Sequence, residues 1–256
     1  MTWSKLLSVF GENDSFLISS HVSPDGDCVG SQLALCWYLQ SLGKTVSIYN
    51  YDPVPSKFRF LRGVGRISTD KPRETFDVLV VLDCSNPQRL GWEGHEKVGR
   101  LIVNIDHHRD NMRFGSINLV ETSAATGEII YRFFTECRVP FPPHVAEALY
   151  TAIMTDTGGF RFSNTNSAIL RTCADLADKG ADCARIYRNV YASFSPNAML
   201  LQSRIWSTLK FHLDNRVCTM ELPLALVEEL GASYSDSEGM ADMTIMGGEV
   251  DIGMLV

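Results

Sequence analysis

The chain is short of positive charge. Its 256 residues hold 23 lysines and arginines against 30 aspartates and glutamates, a net charge of −7 with a pI near 5.4. That balance argues against a general grip on a nucleic-acid backbone, and so against long duplex nucleic acid as a partner. It leaves room for a small anion site whose positive charge comes from bound metal. No apolar run approaches the ~20 residues that cross a bilayer, so no membrane partner is expected. Met1 to Phe10 lacks the basic start and apolar stretch of a secretory leader and reads as a short amphipathic helix. No Cys-x-x-Cys pair occurs among the seven cysteines. Their odd number and scattered placement fit a reducing cytoplasm. They read as small core hydrophobes. Cys28 and Cys84 flank acidic residues, but nothing nearby supplies a base for a catalytic thiol. Fixed-period repeats and low-complexity tracts are absent too.

What is present is a core-forming chain, 45% hydrophobic. Short apolar runs alternate with helical spacing. Ser15–Ser20, Thr45–Tyr49, Asp77–Leu82 and Leu101–Ile105 read as strands. Val29–Leu42, Ala124–Cys137, His144–Met154, Ser167–Lys179 and Cys183–Tyr191 read as helices. Continuous apolar strands suit a sheet covered on both faces by helices. The order predicts an α/β fold, a mostly parallel sheet flanked by helices. From Pro196 the texture changes. Asn197–Phe211 reads as one long linker helix, Arg216–Leu222 as a strand, Leu224–Leu230 as a short helix and Asp251–Val256 as a further strand. The predicted divisions are a catalytic domain over 1–192, a connector over 193–215 and a partial second α/β domain over 216–256. The last apolar run carries no cap or polar tail, which reads as a truncated second lobe.

Acidic and histidine side chains gather where predicted elements end. His21, Asp25 and Asp27 follow the first strand, with Pro24 and Gly26 turning the backbone between them. Asp83 follows the third strand, Asp106-His107-His108 the fourth, and Asp156 the His144–Met154 helix. Ligands of open parallel sheets bind beyond the carboxyl ends of strands, so these segments have one natural meeting place. Singly, each residue has a plainer role as turn former, helix cap or core hydrogen-bonding group. Together, converging carboxylates would repel and take up protons unless cations lay between them. Carboxylates with imidazoles, and no thiolate spacing, select hard or borderline ions such as Mn²⁺, Mg²⁺ or Co²⁺, with Zn²⁺ a further candidate. The ligands exceed the needs of one ion. Two ions sharing a carboxylate suit phosphoryl chemistry.

The strings His21-Val22-Ser23-Pro24-Asp25-Gly26-Asp27, Asp83, Asp106-His107-His108 and Asp156-Thr157-Gly158 resemble, in order, the four motifs of the DHH phosphoesterases. Flanking text agrees: Gly30-Ser31, Thr122-Ser123-Ala124-Ala125 and Phe160-Arg161-Phe162-Ser163. The likeness spans roughly Ser15 to Tyr191. The Pro-Asp-Gly-Asp first motif is most similar to the branch of bifunctional oligoribonucleases and phosphoadenosine-phosphate phosphatases, the nanoRNases. That branch pairs a DHH domain with a smaller DHHA1 domain. The resemblance implies that His21 and Asp25 hold one ion, Asp27, His107 and Asp156 the other, and that Asp83 bridges both. It implies two divalent ions, Mn²⁺ before Mg²⁺ or Co²⁺. Asp106 would orient a histidine, and His108 would face the substrate phosphate and act with Asp83 in catalysis. Arg109 and Ser123 would contact substrate, Ser123 also standing at a helix start. The glycine-rich, histidine-bearing stretch that usually ends a DHHA1 domain is not found after Gly247-Gly248.

The expected activity is hydrolysis of short RNA or of 3'-phosphoadenosine 5'-phosphate. Cyclic or linear dinucleotide cleavage, inorganic pyrophosphatase and a non-catalytic nucleotide-binding module are the alternatives. A homodimer is left open.

Overall fold

The computed structural model describes residues 3–237 and 239–256. Met1 and Thr2, placed in the first predicted helix, lie outside them. The chain forms two compact units, one ending at Val190 and one beginning at Tyr191.

The first unit runs α1 (Trp3–Glu12), β1 (Ser15–Ser19), α2 (Gly26–Ser41), β2 (Thr45–Tyr49), β3 (Ile67–Ser68), β4 (Phe76–Leu82), β5 (Gly99–Asp106), β6 (Ile117–Val120), α3 (Thr126–Glu136), α4 (Pro143–Asp156), α5 (Ser167–Asp178) and α6 (Cys183–Tyr191). Its six strands are all parallel, in the order β3-β2-β1-β4-β5-β6. The chain leaves β1 through α2 to β2 on one side, and later fills the other side with β4. The sheet therefore reverses direction between β1 and β4, which opens a crevice at their carboxyl ends.

Phe16, Ile18, Val78, Val80 and Leu82 are fully buried along β1 and β4. On the alternate positions Leu17, Leu79 and Val81 pack against Leu90 and Trp92 of the segment joining β4 to β5. That patch of the sheet is covered by irregular chain where helices were expected. β3 and β6, with two and four residues, were not anticipated.

Helix α2 is buried almost throughout. It crosses α4 at Gly30, where an added Cβ would lie 2.2 Å from the carbonyl oxygen of Ala148. Glycine in mid-helix costs about 1 kcal/mol relative to alanine. Here it permits a backbone approach that an added Cβ would block.

The second unit holds α7 (Pro196–Trp206), β7 (Lys210–His212), β8 (Val217–Met220), α8 (Leu224–Glu229), α9 (Met240–Thr244) and β9 (Ile252–Leu255). β8 pairs antiparallel with β7 and parallel with β9. Leu201, Ile205, Met220, Val227 and Met240 form its core. The expected long helix to Phe211 is shorter: it stops at Trp206. Ser207 and Thr208 bond their hydroxyls back to the carbonyls of Arg204 and Ile205. Thr208 then accepts the backbone N–H of Glu221 at 2.8 Å, and the chain enters β7. No described helix is long and apolar enough to cross a membrane. All seven cysteines are free thiols, five of them buried.

Candidate metal centre

Four segments deliver side chains to the crevice. The β1–α2 turn brings His21 and Asp25, and the first turn of α2 brings Asp27. The end of β4 brings Asp83, and the end of β5 brings Asp106, His107 and His108. Asp156 is the last residue of α4, so it comes from a helix end rather than from the loop after it. The hydroxyl of Ser20 donates to the carbonyl of Leu82 at 2.7 Å and locks the first two segments together. Asp83 has φ +53. Aspartate tolerates this left-handed backbone better than most residues, and it lets the strand end abruptly with the carboxylate in the crevice.

The ligand atoms sort into two trios. His21, Asp25 and Asp83 form one, and Asp27, His107 and Asp156 the other. Asp83 Oδ2 is 3.3 Å from His21 Nε2. Asp83 Oδ1 is 3.4 Å from His107 Nε2, which also sees Asp156 Oδ2 at 3.5 Å and Asp27 Oδ2 at 3.9 Å. The two oxygens of one buried carboxylate thus face the two trios.

Both imidazoles are oriented as metal ligation would require. His21 Nδ1 is 2.7 Å from the carbonyl of Val22, and His107 Nδ1 is 3.2 Å from that of Ser123. A carbonyl only accepts, so Nδ1 carries the proton and Nε2 turns inward. His107 Nε2 is buried with no well-formed hydrogen bond. Such an orphaned atom amid carboxylate oxygens fits a bound divalent cation.

Asp27 is fully buried at the start of α3, where it accepts the backbone N–H groups of Thr126 at 2.6 Å and Gly127 at 2.8 Å. The hydroxyl of Ser31 adds a third bond at 3.1 Å. A helix N-terminus suits an anion. Thr126 also donates its hydroxyl to Asp83 Oδ1 at 3.2 Å, so one residue indexes both carboxylates. Asp25 Oδ1 caps α2 by accepting from the N–H of Cys28 at 2.9 Å, leaving Oδ2 facing His21.

A third cluster comprises Asp83, Asp106, His107 and His108. Its internal bonds give it an orienting role. His108 Nδ1 donates to Asp106 Oδ1 at 2.7 Å. Asp106 Oδ2 is held by Asn111 Nδ2, which also reaches Asn104 Oδ1. His108 is left with Nε2 free of hydrogen bonds among the described residues. Asn111→Ala should release Asp106 and let the imidazole rotate. Loss of such outer supports costs roughly 10–100-fold. We expect kcat to fall by that factor with metal affinity held; equal losses in both would instead show that Asn111 shapes the ligand trios.

Electrostatics of the protein groups alone describe a site built for cations. Burial, reinforced by Asp83 and Asp156, pushes Asp27 well above the usual carboxylate range. Burial and then Asp83 raise Asp25. Burial is also the main cause that pushes Asp156 up to about 7. Burial opposes the imidazolium of His107, but Asp83, Asp27 and Asp156 outweigh it and bring it to about 10. Burial likewise works against Asp83, yet His107 and His21 hold it far below its ordinary range.

The sign of the pH dependence follows. Groups raised in the folded state stabilise it at low pH, and that contribution is lost as pH rises, through about 7 for Asp156 and about 10 for His107. Ligands bind metal deprotonated. Mn²⁺ should therefore raise Tm more at pH 8 than at pH 6 and release protons on binding. Calorimetry in two buffers of different ionisation enthalpy measures the release; proton uptake would contradict it.

Of the residues singled out in the sequence, the structure brings His21, Asp25, Asp27, Asp83, His107 and Asp156 together, with His108 beside them. Arg109 is exposed and bonds to none of the described residues. Ser123 gives its hydroxyl to Glu128, whose carboxylate also takes the N–H of Ala124. The residue at the α3 start is Ala125, with no side-chain cap. Thr126 and Asn111 were not singled out, and Ser31 stood only in text flanking the first motif, with no role given to it. The role of Thr126 arises only where distant segments meet, whereas Ser31 bonds Asp27 within one turn of α2 and Asn111 bonds Asp106 five residues back.

The model of the DHH family, N-terminal domain, matches residues 15–153. The chain belongs to the DHH family. It is 34% identical over 225 residues to the bifunctional oligoribonuclease and PAP phosphatase NrnA of Thermus thermophilus, a match covering 86% of this chain and 66% of that protein. The protein of the same name from Bacillus subtilis is 23% identical over 91% of this chain and 74% of its own length. Among solved structures, an exopolyphosphatase-related protein from Bacteroides fragilis superposes with a TM-score of 0.88 at 28% identity, covering 96% of this chain and 76% of that one. This DHH-family chain thus spans about two thirds of its Thermus relative's length.

Proposed function

We propose that this chain is a two-metal phosphoesterase that hydrolyses short oligoribonucleotides and 3'-phosphoadenosine 5'-phosphate. The observation that carries the reading is Asp83, whose two oxygens face separate ligand trios. Family membership and the names of the Thermus and Bacillus relatives support the substrate class.

His21, Asp25 and Asp83 would hold one ion, and Asp27, His107, Asp156 and Asp83 the other, with Mn²⁺ the best fit to this oxygen and imidazole set. Bound there, two divalent ions supply water acidification and neutralise charge on the phosphoryl group. The protein's own groups do the rest. Asp27 and Asp83 are fixed by Thr126, so their carboxylates need no reordering when substrate arrives. His108, oriented by Asp106 and with Nε2 free, donates a hydrogen bond or proton toward the leaving oxygen. Burial excludes bulk water from Asp27 and Asp83.

The test is Mn²⁺-dependent release of product from a 5'-labelled RNA dinucleotide and from 3'-phosphoadenosine 5'-phosphate. Hydrolysis of both is expected. Failure on both with the metal loaded would turn the reading toward a nucleotide-binding role.

A further inference from the structure

Beyond Asp156 the backbone passes through three consecutive left-handed residues: Gly158 (φ +58), Gly159 (φ +68) and Phe160 (φ +70). A phenylalanine adopts that conformation only where its surroundings hold it. Here the N–H groups of Arg161 and Phe162 both donate to the carbonyl of Thr157, at 3.0 and 3.1 Å. Asn164 clamps the turn to the metal centre, giving its amide to the carbonyls of Ala124 at 3.2 Å and Asp156 at 3.1 Å.

The turn presents an aromatic ring to solvent. Phe162 is 44% exposed. Its ring lies against Gly158, where an added Cβ would meet Phe162 Cζ at 2.6 Å. Arg161 braces it: Nε donates to the carbonyl of Gly158 at 2.8 Å, and the guanidinium stands 5.8 Å from the ring centroid. A rigid ring left wet, two residues from the anchor of a ligand aspartate, contributes little to the core. It is well suited to a flat ligand. Every nucleobase has a π-face that stacks on such a ring, and a neighbouring arginine adds cation–π attraction and a phosphate contact.

We propose that Phe162, braced by Arg161, is the stacking platform for the nucleobase next to the phosphate held at the metal centre. This deepens the phosphoesterase reading and rests on it for the nature of the substrate. It names the feature that separates nucleotides from other phosphate esters.

The experiment compares kcat/KM, with Mn²⁺, for an RNA dinucleotide and for its abasic analogue, which keeps the sugar-phosphate and lacks the base. Phe162→Ala should lower the ratio of the two by about ten-fold or more, through KM, and Phe162→Trp should restore it. Equal losses on both substrates would assign Phe162 a structural role and overturn the proposal, as would no change in the ratio. A second readout stands apart from turnover. AMP titrated into the Mg²⁺-loaded protein should show upfield-shifted adenine H2 and H8 resonances that disappear in Phe162→Ala. The same shifts in that variant would overturn the platform. If the wild type turns over neither substrate, the phosphoesterase reading fails, and the adenine shifts still decide the platform.

Discussion

Asp83→Asn should abolish metal-dependent turnover while the fold survives. The expectation follows from the backbone and the bonding together. Asparagine tolerates the left-handed φ at position 83 as aspartate does, keeps the volume, and can still accept from the Thr126 hydroxyl. What it removes is the charge that both imidazoles face. With a neutral amide in place of Asp83, His21 and Asp25 on one side and Asp27, His107 and Asp156 on the other have no shared anion to hold two cations close together. The loss should be at least the ~10²–10³-fold that removal of a single charge-stabilising group costs in other enzymes. Steady-state kinetics with the Tm of the chelator-treated protein checks it. Retention of more than a tenth of the activity would mean that Asp83 is a supporting residue only.

Gly30→Val should be the most damaging change outside the ligand set. Replacing a mid-helix glycine with alanine ordinarily stabilises by up to about 1 kcal/mol. At Gly30 the sign reverses, because the new Cβ would meet backbone, the Ala148 carbonyl, rather than a side chain that can turn away. Overpacking of this kind costs about 1–3 kcal/mol, or roughly 2–4 °C of Tm per kcal/mol in a domain of this size. The consequence reaches the chemistry. Ala148 and Ala152 lie two turns and one turn before Asp156 on α4, so pushing α4 away draws Asp156 from Asp27 and His107. A displacement near 1 Å can cost roughly 10²-fold in rate. Gly30→Ala should show the same direction at smaller size. A Tm loss with full activity below the transition would show that α4 does not set the position of Asp156.

The candidate ligands were legible because each sits in a short string where the local sequence does two jobs at once. Asp25 illustrates this. Pro24-Asp25-Gly26-Asp27 reads both as a turn with a helix cap and as a source of candidate metal ligands, and the two readings are compatible at Asp25, since Oδ1 caps α2 while Oδ2 faces His21. The strands were legible from continuous apolar runs such as Val78–Leu82. What stayed hidden depends on contacts between distant segments. Thr126 lies 99 residues from Asp27, and nothing in Ala125-Thr126-Gly127 announces that its N–H groups belong to a carboxylate on α2. In the sequence Gly30 stands only as text flanking the first motif, and its packing role shows where α4 crosses it. The end of α7 was misplaced because the apolar spacing continues through Leu209 and Phe211, while the pairing of Thr208 with Glu221 draws that stretch into a sheet. β6 is too short, and too mixed in its burial, to stand out.

The central claim is that one carboxylate joins two metal trios. Electron paramagnetic resonance of the protein loaded with Mn²⁺, alongside a count of ions per chain, tests it most directly. The account predicts two Mn²⁺ per chain with the multiline signal of a spin-coupled pair, collapsing in Asp83→Asn to the six-line signal of isolated ions. One ion per chain, or two uncoupled ions in the wild type, would contradict it.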